Sequence, residues 1–408
     1  MKSRPSIPKP DEAFPCGFQS AATACGLKKK NVLDLAVISS DALASAAAVF
    51  TTNLVKAAPV LVSQEHLRQT HGRARAIVVN SGNANCCTGK KGLDASRDTA
   101  RTVARELGCR AEEVLVCSTG VIGVPLPVQR ILRAIPQLTG QQSPHPRAFA
   151  KVTRAIMTTD TRPKSVSTSR EIGGKTISLV GCAKGAGMIH PQMATMLAFI
   201  LTDARIAPAL LQRALREAVR GTFNSITVDG DTSTNDTVVV LASGASGARQ
   251  IRKGTADYRK FASGLRFICQ ILALRIVADG EGSRHLVDIE VCGARDARAA
   301  DRVARTIAHS PLVKTALAGA DPNWGRILAA AGRAGVPFDP ARASITLAGI
   351  PVFRRGKPVA FDERKTHALL LRRSVLIRVD LGAGRGRANV WTCDLTAEYV
   401  HINADYRS

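Results

Sequence analysis

The chain has 408 residues, 45% of them hydrophobic, and 57 Lys and Arg against 32 Asp and Glu, for a formal net charge of +25. This length and apolar content exclude a disordered chain and allow two or three domains with buried cores. The start has no apolar signal core, and we find no apolar run near the ~18 residues of a spanning helix, so we expect a cytoplasmic protein with no membrane partner.

Elements of both secondary-structure types alternate along the chain. Apolar, β-branched runs predict strands at 75–80, 113–118, 175–182, 236–242, 286–292 and 374–381. Apolar residues at helical spacing predict helices over 208–220 and 257–277. Gly280 and Gly282 interrupt the second helical pattern, which places a candidate domain boundary near 280–285. These patterns alone predict mixed α and β structure with a break near residue 283.

Two segments rich in small and amide residues follow predicted strands. They are NSGNANCCTG at 80–89 and CSTGVIG at 117–123. Each leaves a strand into a glycine turn, where backbone N–H groups and a hydroxyl can converge on an oxyanion. The alternative interpretation is an ordinary Asx or glycine turn.

The segment KGAGMIHPQMATMLAFILTD at 184–203 includes the apolar run MATMLAFIL, whose one hydroxyl belongs to Thr195. A buried hydroxyl bonded to nearby backbone is the simplest interpretation. A strained loop that presents the hydroxyl to a carbonyl is the other, because flexible glycines precede it. A nucleotide site is not predicted, since His190 occupies the place of the third glycine in GxGxxG.

Two later segments leave alternatives open. The run VDGDTSTNDT at 228–237 resembles a calcium loop, but Thr234 and Val240 stand where that loop needs Gly and Glu, so we predict capped turns there. The chain ends in an apolar stretch that carries Asn403, Asp405 and Tyr406. This stretch is either a last strand or a segment docked for a purpose.

Cysteines and basic residues point to no special ligand. The ten cysteines form no CxxC pair, so we expect reduced, mostly buried thiols, no metal site and no redox motif. Basic residues are spread along the chain, the longest basic run is 28–30, and aromatics are scarce. Weak polyanion binding is compatible with this pattern, but no specific nucleic-acid partner is predicted.

Eight segments together closely resemble the ornithine acetyltransferase family, the arginine-biosynthesis proteins called ArgJ. They stand in the family's order along nearly the whole chain: VVNSGNANCCTG, CSTGVIGVPLP, AIMTTDTRPK, KGAGMIHPQMATMLAF, TVDGDTSTNDTV, DGEGSRHL, KTALAGADPNWGRILAAAGRAG and WTCDLTAEYVHINADYR. Several independent motifs in one order are far more specific than any one of them.

The resemblance implies an α+β fold with a layered sheet core, as in self-processing aminopeptidases, and a smaller C-terminal α/β domain. The implied domains are 1–283, which is catalytic, and 284–408, whose tail returns to the active site. Self-cleavage between Ala194 and Thr195 would give an α chain of residues 1–194 and a β chain of residues 195–408. The two chains would stay together, as an α2β2 heterotetramer.

The resemblance also implies the reaction and its residues. N-acetylornithine would acetylate Thr195, and glutamate would then accept the acetyl group by ping-pong kinetics. Thr119 and Gly120 would hold the oxyanion. The implied substrate contacts are Thr158, Lys184, Thr195, Glu281, Asn403 and Ser408. No cofactor is implied, although acetyl-CoA could serve as a second acetyl donor. The alternative function is a self-processing amidohydrolase or aminopeptidase of the same fold, in which water resolves the acyl-enzyme.

Overall fold

A computed structural model describes residues 14–28, 31–190 and 196–405. The chain folds into two compact units. The first comprises Met1–Gly185, Gln192–Phe223 and Thr232–Leu272, and the second comprises Ala186–Pro191, Asn224–Asp231 and Ala273–Ser408. Two short segments from earlier in the chain thus belong to the second unit. The predicted domains 1–283 and 284–408 stay a prediction.

The first unit is built on an eight-stranded sheet. Its strands are β1 (Phe18–Thr23), β2 (Leu35–Phe50), β3 (Arg73–Asn83), β4 (Val114–Val121), β5 (Lys164–Ile172), β6 (Lys175–Lys184), β7 (Leu197–Thr202) and β8 (Thr237–Ala242). Seven of them lie in the order β4-β3-β2-β8-β7-β6-β5, and β1 pairs with β2. The strands β7 and β8 are buried along their whole length, which explains why their sequences are continuously apolar.

Helices pack on both faces of this sheet. They are α1 (Ala58–Gln69), α2 (Gly89–Leu107), α3 (Val128–Gly140), α4 (Pro146–Ala155), α5 (Pro208–Arg220) and α6 (Ala256–Ala278), of which residues 256–272 belong to this unit. Alternate residues of β3 enter different apolar clusters: Ile77 packs in a cluster with Phe149 of α4, and Val78 packs in one with Val103 of α2. The period of two therefore buries both faces of the strand.

Helix α6 differs from the sequence expectation that no apolar run approaches a spanning helix. Its 23 residues contain an 18-residue window with a mean hydropathy of 1.6, enough by length and composition to cross a membrane. However, 56% of that window is buried inside the protein, and Phe261, Leu265 and Ile268 are fully buried. The stretch is a core helix. Charged residues on its exposed side interrupt the apolar sequence, so the sequence shows no long uninterrupted apolar run.

The second unit has a six-stranded sheet in the order β12-β11-β10-β13-β9-β14. Its strands are β9 (Leu286–Ala294), β10 (Ser344–Leu347), β11 (Ile350–Arg354), β12 (Lys357–Pro358), β13 (Ser374–Asp380) and β14 (Gly386–Cys393). Its helices are α7 (Ala297–Ala308), α8 (Pro311–Ala318), α9 (Trp324–Gly332), α10 (Glu363–Leu370) and α11 (Ala397–Ala404). The Asp296 side chain caps α7, whose Val303 and Ile307 pack with Ile289 of β9 in one core.

The architecture confirms the predicted class of mixed α+β structure with a smaller C-terminal part rich in both elements. The C-terminal stretch forms both a last strand, β14, and a helix, α11. The parallel strands β3 and β4 place their carboxyl ends at the same edge of the first sheet, where Ser81 pairs with Thr119 and Gly82 with Gly120. The candidate site is built at this edge.

Candidate active site

The end of β4 brings a hydroxyl and a backbone N–H together at Thr119 and Gly120. Thr119 is buried, and Gly120 has a φ of +134°, which disfavours any side chain. A Cβ at Gly120 would lie 2.3 Å from the carbonyl carbon of Gly82 on β3. Glycine is therefore required for β4 to approach β3 this closely.

Lys184, the last residue of β6, reaches the same point. Its Nζ donates a hydrogen bond of 3.0 Å to the Thr119 Oγ1, and both residues are buried. An ammonium group only donates, so the threonine oxygen must accept this bond. The hydroxyl hydrogen of Thr119 remains available to another acceptor. This is the arrangement needed to stabilise a negatively charged oxygen.

Asp160 connects three segments of the first unit. Its Oδ1 accepts hydrogen bonds from Lys164 Nζ at 2.6 Å and from the Gly185 N–H at 2.7 Å, and its Oδ2 accepts the Thr158 N–H at 3.0 Å. Burial raises the pKa of Asp160, but the ammonium groups of Lys164 and Lys184 outweigh this effect, so the net pKa is lowered. The ionised carboxylate fixes Thr158 and the chain beside Lys184.

Asn235 connects the ends of β3 and β4. Its Nδ2 donates to the Ser118 carbonyl at 2.9 Å and to the Ala84 carbonyl at 2.7 Å. Ser118 directly precedes Thr119, and Ala84 directly follows β3. One buried amide therefore fixes the ends of both strands.

The predicted cleavage residues Ala194 and Thr195 lie outside the described residues. The structure does describe Met196, whose N–H donates to the Asp236 Oδ1 at 2.8 Å. Burial raises the pKa of Asp236 well above its usual range. Its Oδ2 is buried without a hydrogen-bond partner among the described ranges. A buried acidic side chain thus accepts a hydrogen bond from the residue that follows Thr195 in the sequence.

In the second unit, Glu281 and Asn403 are brought together. The Asn403 Nδ2 on α11 donates to the Glu281 Oε2 at 2.7 Å, and the Glu281 N–H donates to the Ala186 carbonyl at 3.0 Å. A Cβ at Gly187 would lie 2.4 Å from the Glu281 carboxyl group, so glycine is required at that position. Glu281 is buried, and its carboxylate can bind a cation.

Asp229 binds the chain just after Gly187. Its carboxylate accepts the N–H groups of Met188 at 2.5 Å and Ile189 at 2.8 Å, and the Tyr399 hydroxyl on α11 lies 3.4 Å from its Oδ2. Burial raises the pKa of Asp229 to about 6. The Asp231 N–H also donates to Asp229, which confirms the predicted capped turn.

The structure thus places Thr119, Gly120, Thr158 and Lys184 around one network in the first unit, and Glu281 with Asn403 in the second. The predicted substrate residue Ser408 lies outside the described residues. Sequence patterns did not single out Asp160, Asn235 or Asp236 individually, although each lies within a quoted motif. Within the described ranges, no three His, Cys, Asp or Glu side chains are grouped as metal ligands.

Comparison with known proteins decides the family. The ArgJ family sequence profile matches residues 19–408. The chain belongs to the ArgJ family. Curated relatives named "Arginine biosynthesis bifunctional protein ArgJ" include one from Thermosynechococcus vestitus, 48% identical with 96% of each chain covered. Another, from Dehalococcoides mccartyi, is 46% identical with 100% of each chain covered. Membership in ArgJ confirms the resemblance that the eight motifs carry.

A solved ArgJ structure from Bacillus halodurans is also similar to this chain. It is 43% identical and covers 50% of this chain and 97% of its own, with a TM-score of 0.49.

Proposed function

We propose that this chain is an acyltransferase of arginine biosynthesis that moves an acetyl group from N-acetylornithine to glutamate. Ornithine and N-acetylglutamate are the products. Membership in the ArgJ family supports the reaction class, and the relatives' names add arginine biosynthesis and a second activity. For that second activity we propose acetylation of glutamate from acetyl-CoA, which acts as a substrate. The reaction needs no cofactor.

The nucleophile in this proposal is Thr195, released by cleavage of the Ala194–Thr195 bond. The new α-amine has a reference pKa of about 7.7–8.0, so part of it is neutral near pH 7 and accepts the hydroxyl proton. The deprotonated oxygen attacks the acetyl carbonyl, and ornithine leaves with its amine protonated. Glutamate's amine then attacks the acetyl-Thr195 ester, which regenerates the hydroxyl.

The observation that carries this mechanism is the hydrogen bond from Lys184 Nζ to Thr119 Oγ1 beside the Gly120 N–H. It leaves the Thr119 hydrogen free to bind the oxyanion in both steps. Each preorganised donor of this kind contributes about 3 kcal/mol to lowering the barrier. The Asp236 carboxyl group accepts the Met196 N–H and so lies next in sequence to the proposed cleavage point, which supports an acidic group for that step.

Charge complementarity assigns the substrate groups. The Lys184 ammonium suits a substrate α-carboxylate, and the Glu281 carboxylate suits the side-chain ammonium of ornithine. Thr158, Asn403 and Ser408 complete the proposed contacts. We place the enzyme in the cytoplasm as an α2β2 assembly of residues 1–194 and 195–408.

The deciding experiment supplies purified protein with N-acetylornithine or acetyl-CoA as separate donors and glutamate as acceptor. Mass spectrometry of the chains reports cleavage. Thr195→Ala is expected to block both cleavage and transfer, whereas Thr195→Ser keeps the hydroxyl and retains both at reduced rates. Release of acetate without formation of N-acetylglutamate would instead establish a hydrolase. Full activity of Thr195→Ala would overturn the mechanism.

A further inference from the structure

Two consecutive cysteines, Cys86 and Cys87, lie in the loop that follows β3. Their Sγ atoms are 3.6 Å apart. Cys86 is buried and Cys87 is exposed to solvent. The sequence predicted no redox motif, because the cysteines form no CxxC pair, but the folded loop holds the sulfur atoms of these two adjacent residues close together. An accessible thiol beside a buried second thiol is the arrangement found in reversible thiol oxidation.

The loop holds the pair firmly in this arrangement. Asn85 and Cys87 both have left-handed backbone conformations, with φ of +47° and +59°. The Cys86 carbonyl accepts the Gly123 N–H at 3.0 Å. The buried Asn85 side chain donates to Gly92 at 2.9 Å and accepts from Thr88 at 2.9 Å. Hydrogen bonds on both sides of the pair therefore keep the sulfur atoms close.

We propose that Cys86 and Cys87 form a reversible oxidation site whose oxidant is a hydroperoxide. The Cys87 thiolate attacks the peroxide, the O–O bond breaks, and Cys87 becomes a sulfenic acid. The Cys86 sulfur then attacks the Cys87 sulfur, and water leaves as the disulfide forms. In total the two thiols lose two electrons and two protons. An organic hydroperoxide is reduced to an alcohol and one water molecule, and hydrogen peroxide is reduced to two water molecules.

The order of these steps follows from the two environments. Burial raises the pKa of Cys86, so this thiol stays protonated near neutral pH and hidden from the oxidant. Cys87 is the thiol that a dissolved peroxide can reach. The short distance between the sulfur atoms compensates for the low thiolate fraction of Cys86 in the second step.

Formation of the disulfide would shift the backbone next to β4, the strand that carries the proposed oxyanion donors. The S–S bond is about 2.05 Å long, so the sulfur atoms must move together and shift the backbone of the pair. The Cys86 carbonyl of that backbone is hydrogen-bonded to Gly123, and the loop directly follows Asn83, the last residue of β3, which pairs with Thr119 and Val121 of β4. Oxidation is therefore expected to lower acetyl transfer about tenfold or more. This last step rests on the proposed function.

Peptide mass spectrometry tests the site directly. Trypsin cleaves after Arg75 and Lys90, giving a peptide over 76–90 that contains only these two cysteines. After treatment with hydrogen peroxide, this peptide is expected to lose about 2 Da, and dithiothreitol should restore both its mass and the transfer rate. In Cys86→Ser, and in the apolar variant Cys86→Ala, Cys87 should instead gain two or three oxygen atoms irreversibly.

Cys16→Ser removes another exposed cysteine and serves as the matched control, since it should leave the disulfide and its reversal unchanged. The proposal is wrong if the wild-type peptide gains oxygen as fast as the Cys86 variants and never loses about 2 Da. The mass readout does not depend on acetyl transfer. Failure of this site and failure of the proposed function are therefore separate results.

Discussion

Substitution of Thr119 by valine tests the oxyanion geometry most directly. Valine has nearly the same shape as threonine but lacks the hydroxyl. The change removes one of two proposed donors and keeps the Gly120 N–H in place. Loss of one such donor costs about 3 kcal/mol of transition-state stabilisation, or a factor of roughly 10²–10³ in kcat. KM should stay within about threefold, because the oxyanion exists only during the reaction.

The same substitution has a calculable effect on stability. Thr119 Oγ1 accepts a hydrogen bond from the buried Lys184 ammonium, and valine leaves that donor one acceptor short. A lost buried hydrogen bond of this kind costs about 1–3 kcal/mol of unfolding free energy. The melting temperature should then fall by several degrees at most.

The assay measures single-turnover acetylation of Thr195 and steady-state transfer at saturating N-acetylornithine, with circular dichroism to confirm folding. Thr119→Ser keeps the hydroxyl and is expected to retain kcat within about tenfold. A folded Thr119→Val enzyme with a kcat within about threefold of wild type would show that the Thr119 hydroxyl does not stabilise the oxyanion.

Three further substitutions test other parts of the site. Gly120→Ala should abolish transfer and lower the soluble yield, because its Cβ would lie 2.3 Å from Gly82. Asp236→Asn keeps an oxygen for the Met196 N–H but removes the acidic proton, so mass spectrometry should show self-cleavage slowed about tenfold or more. Burial and, to a smaller extent, the neighbouring His190 lower the pKa of His309 to about 4. The contribution of the neutral His309 to the free energy of unfolding is therefore complete above about pH 6.5. It is lost as the pH falls towards 4, and this loss amounts to at most about 3 kcal/mol. His309→Asn should reduce that acid loss in urea unfolding.

Each of these expectations has a control or a contrary outcome. Asp203→Asn is the control for Asp236→Asn. Burial also raises the pKa of Asp203, and its carboxyl group also accepts a backbone N–H, that of Ser178. This substitution should leave self-cleavage unchanged. Equal slowing in both Asp variants would indicate a general folding defect. A soluble, active Gly120→Ala enzyme would contradict the close strand contact. An unchanged acid loss in His309→Asn would assign that loss to other groups.

Local patterns predicted several elements closely. The helix predicted over 208–220 is α5 with the same bounds, and the strands predicted at 175–182 and 286–292 are β6 and β9 with small extensions. These segments succeed because their apolar residues repeat with the period of the element and because proline or glycine marks their ends. The long strand β2 was not predicted, since its many alanines have low strand propensity.

The candidate site was predictable only in part. Glycine turns after strands indicated only that the segments 80–89 and 117–123 could hold an oxyanion, and the family resemblance supplied Thr119, Gly120 and the remaining residues with their roles. Asp160 and Asn235 form contacts with residues far away in the sequence, such as Gly185 and Ser118. A single carboxylate or amide carries no periodic signal, so only the folded chain shows that these two side chains hold the strand ends.

The strand order has a consequence for how the two proposed chains must be made. In the first sheet, β7 and β8 come from the segment after residue 195, yet they lie between β2 and β6 from the segment before it. If the two fragments were synthesised separately, the edges of β2 and β6 in one fragment and of β7 and β8 in the other would be unpaired. Such exposed edges would favour aggregation. If the proposed cleavage cut the backbone only after the sheet had formed, a single polypeptide would fold before it became two chains.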